Sequence, residues 1–164
     1  MDIDTVDRLD HDAFMARFGG VFEGSPWVAE RAWAARPFGS LDALHAAMVD
    51  VVARSPHEVR VGLIRAHPDL AVNASLTPES EREQSAAGLD RLTPEQLERI
   101  TWLTAAYRAR IGFPFVVCAR EHTPETIIEA AERRIESDPA DEEQTALSEI
   151  AKIARLRLVD LIAP

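Results

Sequence analysis

The chain is predicted to fold as an all-α protein, an irregular multi-helix bundle carrying one short buried extended segment near residues 113–119. Three observations lead there. Prolines repeatedly follow a residue able to cap a helix, at Ser25-Pro26, Ser55-Pro56, Thr77-Pro78, Thr93-Pro94, Thr123-Pro124 and Asp138-Pro139. Between these points the apolar residues recur at helical spacing. Strict apolar–polar alternation, the mark of a half-buried strand, extends nowhere over five or more residues.

Each element has its own justification. A capping oxygen satisfies an orphan N–H of the first turn, and proline's fixed φ suits the first helical position. On that reading Ser25-Pro26 and Ser55-Pro56 each open a helix, and Ser40 opens another lined by Leu41, Leu44, Met48 and Val51/Val52. Thr77-Pro78 starts a polar helix, and Glu79 at its head complements the helix dipole. Thr93 with Gln96 forms a capping box. The helix it opens runs from about Pro94 to Arg110, with Leu97, Ile100, Thr101, Leu103, Thr104 and Tyr107 on one face. Phe113-Pro114-Phe115-Val116-Val117-Cys118-Ala119 is too short and too broken for a helix, and reads as buried extended chain. Thr123-Pro124 opens a helix carrying Ile127, Ile128, Ala131 and Ile135. The last helix, from about Asp141 to Leu161, presents Leu147, Ile150, Ala151, Ala154, Leu158 and Leu161. No repeat, low-complexity tract or linker interrupts the 164 residues, so a single domain over 1–164 is expected.

The formal net charge of −10 argues against nucleic acid and against an anionic membrane surface, both of which need clustered Lys and Arg. It also means that an anionic substrate must be held by a local cation, because the overall field repels it. Cys118 is the single cysteine, so no intramolecular disulfide forms and a reducing, cytoplasmic setting is expected. The acidic N-terminus lacks the basic and apolar regions of a secretory signal, and no stretch approaches the roughly 18 apolar residues of a membrane span.

Several side chains can carry chemistry. His11, His57 and His122 lie in polar surroundings near helix starts and read as surface groups, while His45 sits mid-helix. His67 follows the apolar helix end Val61-Gly62-Leu63-Ile64 and precedes Pro68, which pushes its backbone toward extended geometry. Such a histidine is either structural or turned toward a pocket. In the helix after Thr77, a rotation of about 100° per residue places Ser80, Glu83 and Gln84 on one stripe that continues into Ala87 and Gly88. That stripe is either a solvated face or a hydrogen-bonding array. Arg120, closing the apolar run, either reaches into water or supplies the local cation, a task its planar fork suits. Cys118, flanked by apolar residues, reads as a small buried hydrophobe. His67, Asp69 and Glu83 are the only plausible metal ligand set, and their spacing matches no recognised metal motif, so no metal is expected.

A more specific signal lies in the order of short motifs. Trp33-Ala34-Ala35-Arg36-Pro37-Phe38 is followed by His67-Pro68-Asp69-Leu70 and then by the run from Leu76 through Ser80, Glu83, Gln84 and Gly88 to Asp90. Tyr107, the run Gly112 to Arg120 and Ile153-Ala154-Arg155-Leu156-Arg157-Leu158 complete the series. In this order the chain closely resembles the OHCU decarboxylases, over nearly its whole length. These enzymes convert 2-oxo-4-hydroxy-4-carboxy-5-ureidoimidazoline to (S)-allantoin and CO2 in urate degradation.

The resemblance implies an all-α fold, commonly a homodimer, with a small-molecule substrate and no cofactor. It also implies site residues: His67 and Glu83 as the catalytic pair, and Pro68, Ser80, Glu83 and Gln84 against the substrate. Phe115, Val116, Val117, Cys118 and Ala119 would line it through their backbone, and Arg120 would supply the basic group. Three departures stand out: a shortened loop between Leu70 and Ser80, Thr104 where the family commonly has asparagine, and Glu121 where a small residue is usual. The rival expectations are a related enzyme acting on another ureido or hydantoin-like substrate, or a non-catalytic helical binding module of the same fold.

Overall fold

The computed structural model describes residues 1–70 and 76–162, and among these the regular structure is helical, with no strand. The chain divides into two compact units, one of Met1–Ala66 together with the chain from Ala151 onward, the other of His67–Ile150.

In the first unit α1 (Ile3–Arg8) and α2 (His11–Phe18) begin at Asp2 and Asp10, whose carboxylates accept from the N–H groups of Thr5 and Ala13. Neither helix was among the expected ones, because aspartate caps without a following proline mark a start less plainly. His11, at the head of α2, bonds Glu30 at 2.8 Å and stands edge-on to Trp33. Hydrogen bonds to Asp12 and Glu30 hold its pKa above the usual histidine value. α3 (Trp27–Ala32) packs on α4 (Leu41–Ala53), which Ser40 caps as expected. α5 (His57–Arg65) closes this stretch. Phe14, Phe18, Val28, Leu44, Met48 and Ile64 are completely enclosed and form the unit's core.

The second unit contains α6 (Pro78–Ala86), α7 (Pro94–Ile111), a 3-10 turn (Ala119–Glu121) and α8 (Pro124–Arg134). The residues of α9 (Pro139–Ile162) are shared between the two units. Thr77, Thr93 and Thr123 cap their helices with proline at the head, and Thr93 and Gln96 make the expected capping box. Phe113 through Ala119 are all buried; Phe113 to Cys118 lie between α7 and the 3-10 turn, and Ala119, expected to end the extended segment, instead opens the turn.

Two details differ from expectation. Pro26 and Pro56, not Ser25 and Ser55, are the cap positions of α3 and α5, and neither helix has a side-chain cap. The Ser55 hydroxyl instead donates back to the Val51 carbonyl at 2.8 Å, serving the end of α4 rather than the start of α5. On α7 the buried residues are Ile100, Leu103, Thr104, Tyr107 and Ile111, whereas Leu97 and Thr101 face outward. Leu97 lies within the first turn, where the helix has not yet reached the core.

Candidate active site

The site residues implied by the resemblance, His67, Pro68, Ser80, Glu83, Gln84 and Phe115 to Arg120, all lie in the second unit. His67 begins it and is buried, with 7% of its surface exposed. The turn that carries it is tied to α7 by an ion pair between Asp69 and Arg108 at 2.9 Å, and Leu70 is buried behind it. Pro68 is half-buried. The expected shortening of the loop before Ser80 falls largely on residues 71–75, outside the described residues.

α6 has an inverted distribution of polarity. Its buried residues are Ser80 and Gln84, and Ala87 just beyond its end is buried as well. Glu83 on the same stripe is half-buried, while Glu81, Arg82 and Ala86 are exposed. The open side borders a shallow surface depression lined by Glu81, Arg82, Ser85, Ala86 and Arg91. Burying a hydroxyl and an amide in place of apolar side chains costs free energy unless hydrogen bonds compensate it. The stripe is therefore an inward-facing polar array, not a solvated face. α6 packs against the 3-10 turn, which places Ser80, Glu83 and Gln84 on the helix beside Ala119–Glu121. Past α6, Gly88 adopts φ +80° close to the Pro124 ring.

Phe115, Val116, Val117, Cys118 and Ala119 are each at most 6% exposed, whereas Arg120 on the 3-10 turn is exposed. Thr104 is buried and donates to the Ile100 carbonyl of its own helix at 2.9 Å, and Glu121 is exposed. Asp69 is engaged by Arg108, and among the described residues no three His, Cys, Asp or Glu side chains gather as metal ligands.

One group in this unit escaped the sequence reading. Arg134 is buried and its Nε donates to both carboxylate oxygens of Glu142, at 2.9 and 3.1 Å. Its Nη1 donates to the Val116 carbonyl at 2.7 Å, and its guanidinium lies 4.5 Å from the Phe115 ring centre. Tyr107 stands edge-on to Phe115 at 5.3 Å. Burial pushes the Tyr107 phenol up to about 12, against the opposing charge of Arg134. The signal available in sequence was an arginine recurring on the apolar side of α8, one turn after Ala130 and Ala131.

The protein so defined is an all-α chain whose buried polar helix face adjoins a buried irregular segment. The family model for OHCU decarboxylase matches residues 7–159. A 2-oxo-4-hydroxy-4-carboxy-5-ureidoimidazoline decarboxylase of Haloferax volcanii is 45% identical, over 94% of this chain and 92% of its own. A mouse protein of the same name is 41% identical, over 99% and 93% respectively. The Bacillus subtilis uric acid degradation bifunctional protein PucL is 38% identical, and the match spans 32% of that longer protein. Among solved structures, an (S)-allantoin synthase superposes with a TM-score of 0.82 at 29% identity. That match covers 99% of this chain and about half, 54%, of the other. The chain belongs to the OHCU decarboxylase family.

Proposed function

We propose that this chain decarboxylates 2-oxo-4-hydroxy-4-carboxy-5-ureidoimidazoline to (S)-allantoin and CO2, without metal or organic cofactor, as a step of urate degradation. The observation that carries the reading is the inward polar face of α6, with Ser80 and Gln84 buried, in the same compact unit as the buried His67. The names of the relatives support it.

The substrate brings its own electron sink. Its carboxylate sits on the hydroxyl-bearing ring carbon, beside a ring carbon in a C=N bond. When the bond to CO2 breaks, its electron pair forms a double bond between these two carbons. The imine pair moves to nitrogen, which takes up a proton. The enol then collapses: the hydroxyl gives up its proton, and the neighbouring carbon accepts one on a single face. His67 is assigned as the general acid–base at the hydroxyl and as the donor or relay to that face. Glu83 orients His67 or the ring and ureido nitrogens. Ser80, Gln84, Pro68 and the backbone of Phe115, Val116, Val117, Cys118 and Ala119 grip the ring and ureido groups. Arg120 supplies positive charge for the carboxylate in a chain of net charge −10. The working form is a non-covalent homodimer of single-domain chains in the cytoplasm. No helix among the described residues is long and apolar enough to cross a membrane.

The test is to supply freshly generated substrate and follow the circular dichroism of the product, with and without prior chelation. The expected result is rapid (S)-allantoin formation unaffected by EDTA. Racemic product at the spontaneous rate refutes the activity, and loss with EDTA reversed by one divalent metal refutes the mechanism.

A further inference from the structure

Among the described residues no strand lies beside the segment from Phe113 to Ala119 to fix its position. A buried backbone normally takes its register from a ladder of N–H and C=O pairs, and here a side chain does part of that work. The Val116 carbonyl accepts from Arg134 Nη1 at 2.7 Å, while Arg134 Nε is held by both oxygens of Glu142. The Glu142 side chain is 1% exposed and that of Arg134 10%. The guanidinium also lies 4.5 Å from the centre of the Phe115 ring, which makes a T-shaped contact with Tyr107. A single rigid fork thus touches the side chain of one residue of the segment and the backbone of the next.

A buried ion pair is a poor device for stability alone, because the loss of hydration offsets most of the attraction. What it provides here is direction. The two branches of the fork fix the distance between Glu142, near the start of α9, and the Val116 carbonyl, and lysine cannot span both with the same geometry.

We propose that Arg134, held by Glu142, is a positioning residue that sets the 113–119 backbone against the substrate. It touches no reacting atom. The inference rests on the activity proposed above and on the assignment of this backbone to substrate binding. Loosening the segment raises KM and relaxes the facial selectivity of protonation, because substrate contacts become misplaced by fractions of an ångström. A misplacement of about 1 Å can cost on the order of 100-fold.

Two variants test it, each assayed well below its own Tm and normalised to folded protein. Arg134→Lys keeps the charge beside Glu142 but loses the fork. Arg134→Met combined with Glu142→Leu removes the pair together, leaving no lone buried charge. The expected result is a rise in KM of roughly 10- to 100-fold, a smaller change in kcat, and allantoin of lowered enantiomeric excess. Arg134→Lys is expected to lie between wild type and the double variant. Unchanged KM and enantiomeric excess, with only a lowered Tm, overturns the inference while leaving the proposed activity intact. Should the double variant fail to fold, Arg134→Lys alone decides by the same two readouts. Wild-type protein inert toward the substrate refutes the activity itself, a separate outcome.

Discussion

His67 and Glu83 stand differently in the structure: the imidazole is enclosed, the carboxylate half-buried at the margin of the α6 stripe. As the proposed acid–base pair, the two are expected to behave as a unit. His67→Asn is expected to lower the rate by about 10²- to 10⁴-fold, the usual contribution of a general acid–base. Glu83→Gln is expected to fall in the same range, and the double variant little below either, since coupled groups are non-additive. Initial rates, product dichroism and far-UV spectra on the three variants check this, and multiplicative losses would separate the two residues. Of this site, sequence spacing revealed the stripe of Ser80, Glu83 and Gln84 but not which way it faced. Helical periodicity groups residues on a face, and only the neighbouring elements decide whether that face meets water. The same limit applies to Arg120, for which the sequence left water and a pocket equally open and which the fold leaves exposed.

At the level of elements, threonine and serine before proline behave differently. Thr77, Thr93 and Thr123 cap, whereas Ser25 and Ser55 are buried and leave the cap position to the proline. Ser55 shows why: where one helix ends only a few residues before the next begins, the hydroxyl answers the carbonyl behind it. The helix ends are less visible in sequence than the starts. α7 stops because Gly112 takes φ 97°, returning its N–H to the Arg108 carbonyl. An added methyl there would meet nothing within 4 Å, so the cost of Gly112→Ala is conformational rather than steric. It is expected to be about 1 kcal/mol, lowering Tm by about 2–4 °C for a chain of this size. Thermal melts check it, and a Tm equal to wild type would mean the helix end is set by packing.

Across the molecule, charge is also found in the interior. Buried ion pairs join Arg157 with the sequence-remote Glu23 at 2.8 Å, and Arg134 with Glu142, eight residues on, at 2.9 Å. Neither pair was legible, because an arginine in a helical pattern is ordinarily solvated and its partner is named only by the fold. What sequence did convey was the helical class, most helix starts and the buried run at 113–119, all local in origin. Alkaline pH offers a measurement for the whole chain through one group, since Tyr107 is the only tyrosine. Burial raises its pKa to about 12 in the folded state, from an ordinary value near 10.0. Folding therefore favours the protonated phenol. Its contribution to stability is full below about pH 10 and is lost as pH rises toward 12. Phenolate absorbance is expected to appear together with loss of helical dichroism, whereas in denaturant it should appear near 10. A midpoint near 10 in a still helical chain would contradict the enclosure of this ring.

The inward polarity of α6 has a consequence for how the protein can change. A helix that turns a hydroxyl and an amide toward the interior gains little from the hydrophobic effect, so its hold on the rest of the unit is weaker than its burial suggests. Natural proteins sit just above the stability they require, and polar groups kept at working sites are a common reason. Ser80→Ala combined with Gln84→Met is therefore expected to match or raise the wild-type Tm while abolishing turnover, measured by calorimetry and by product formation. A large fall in Tm would show instead that the two side chains are structural. Selected for heat resistance alone, this lineage would trade its chemistry for a greasier helix and keep the fold.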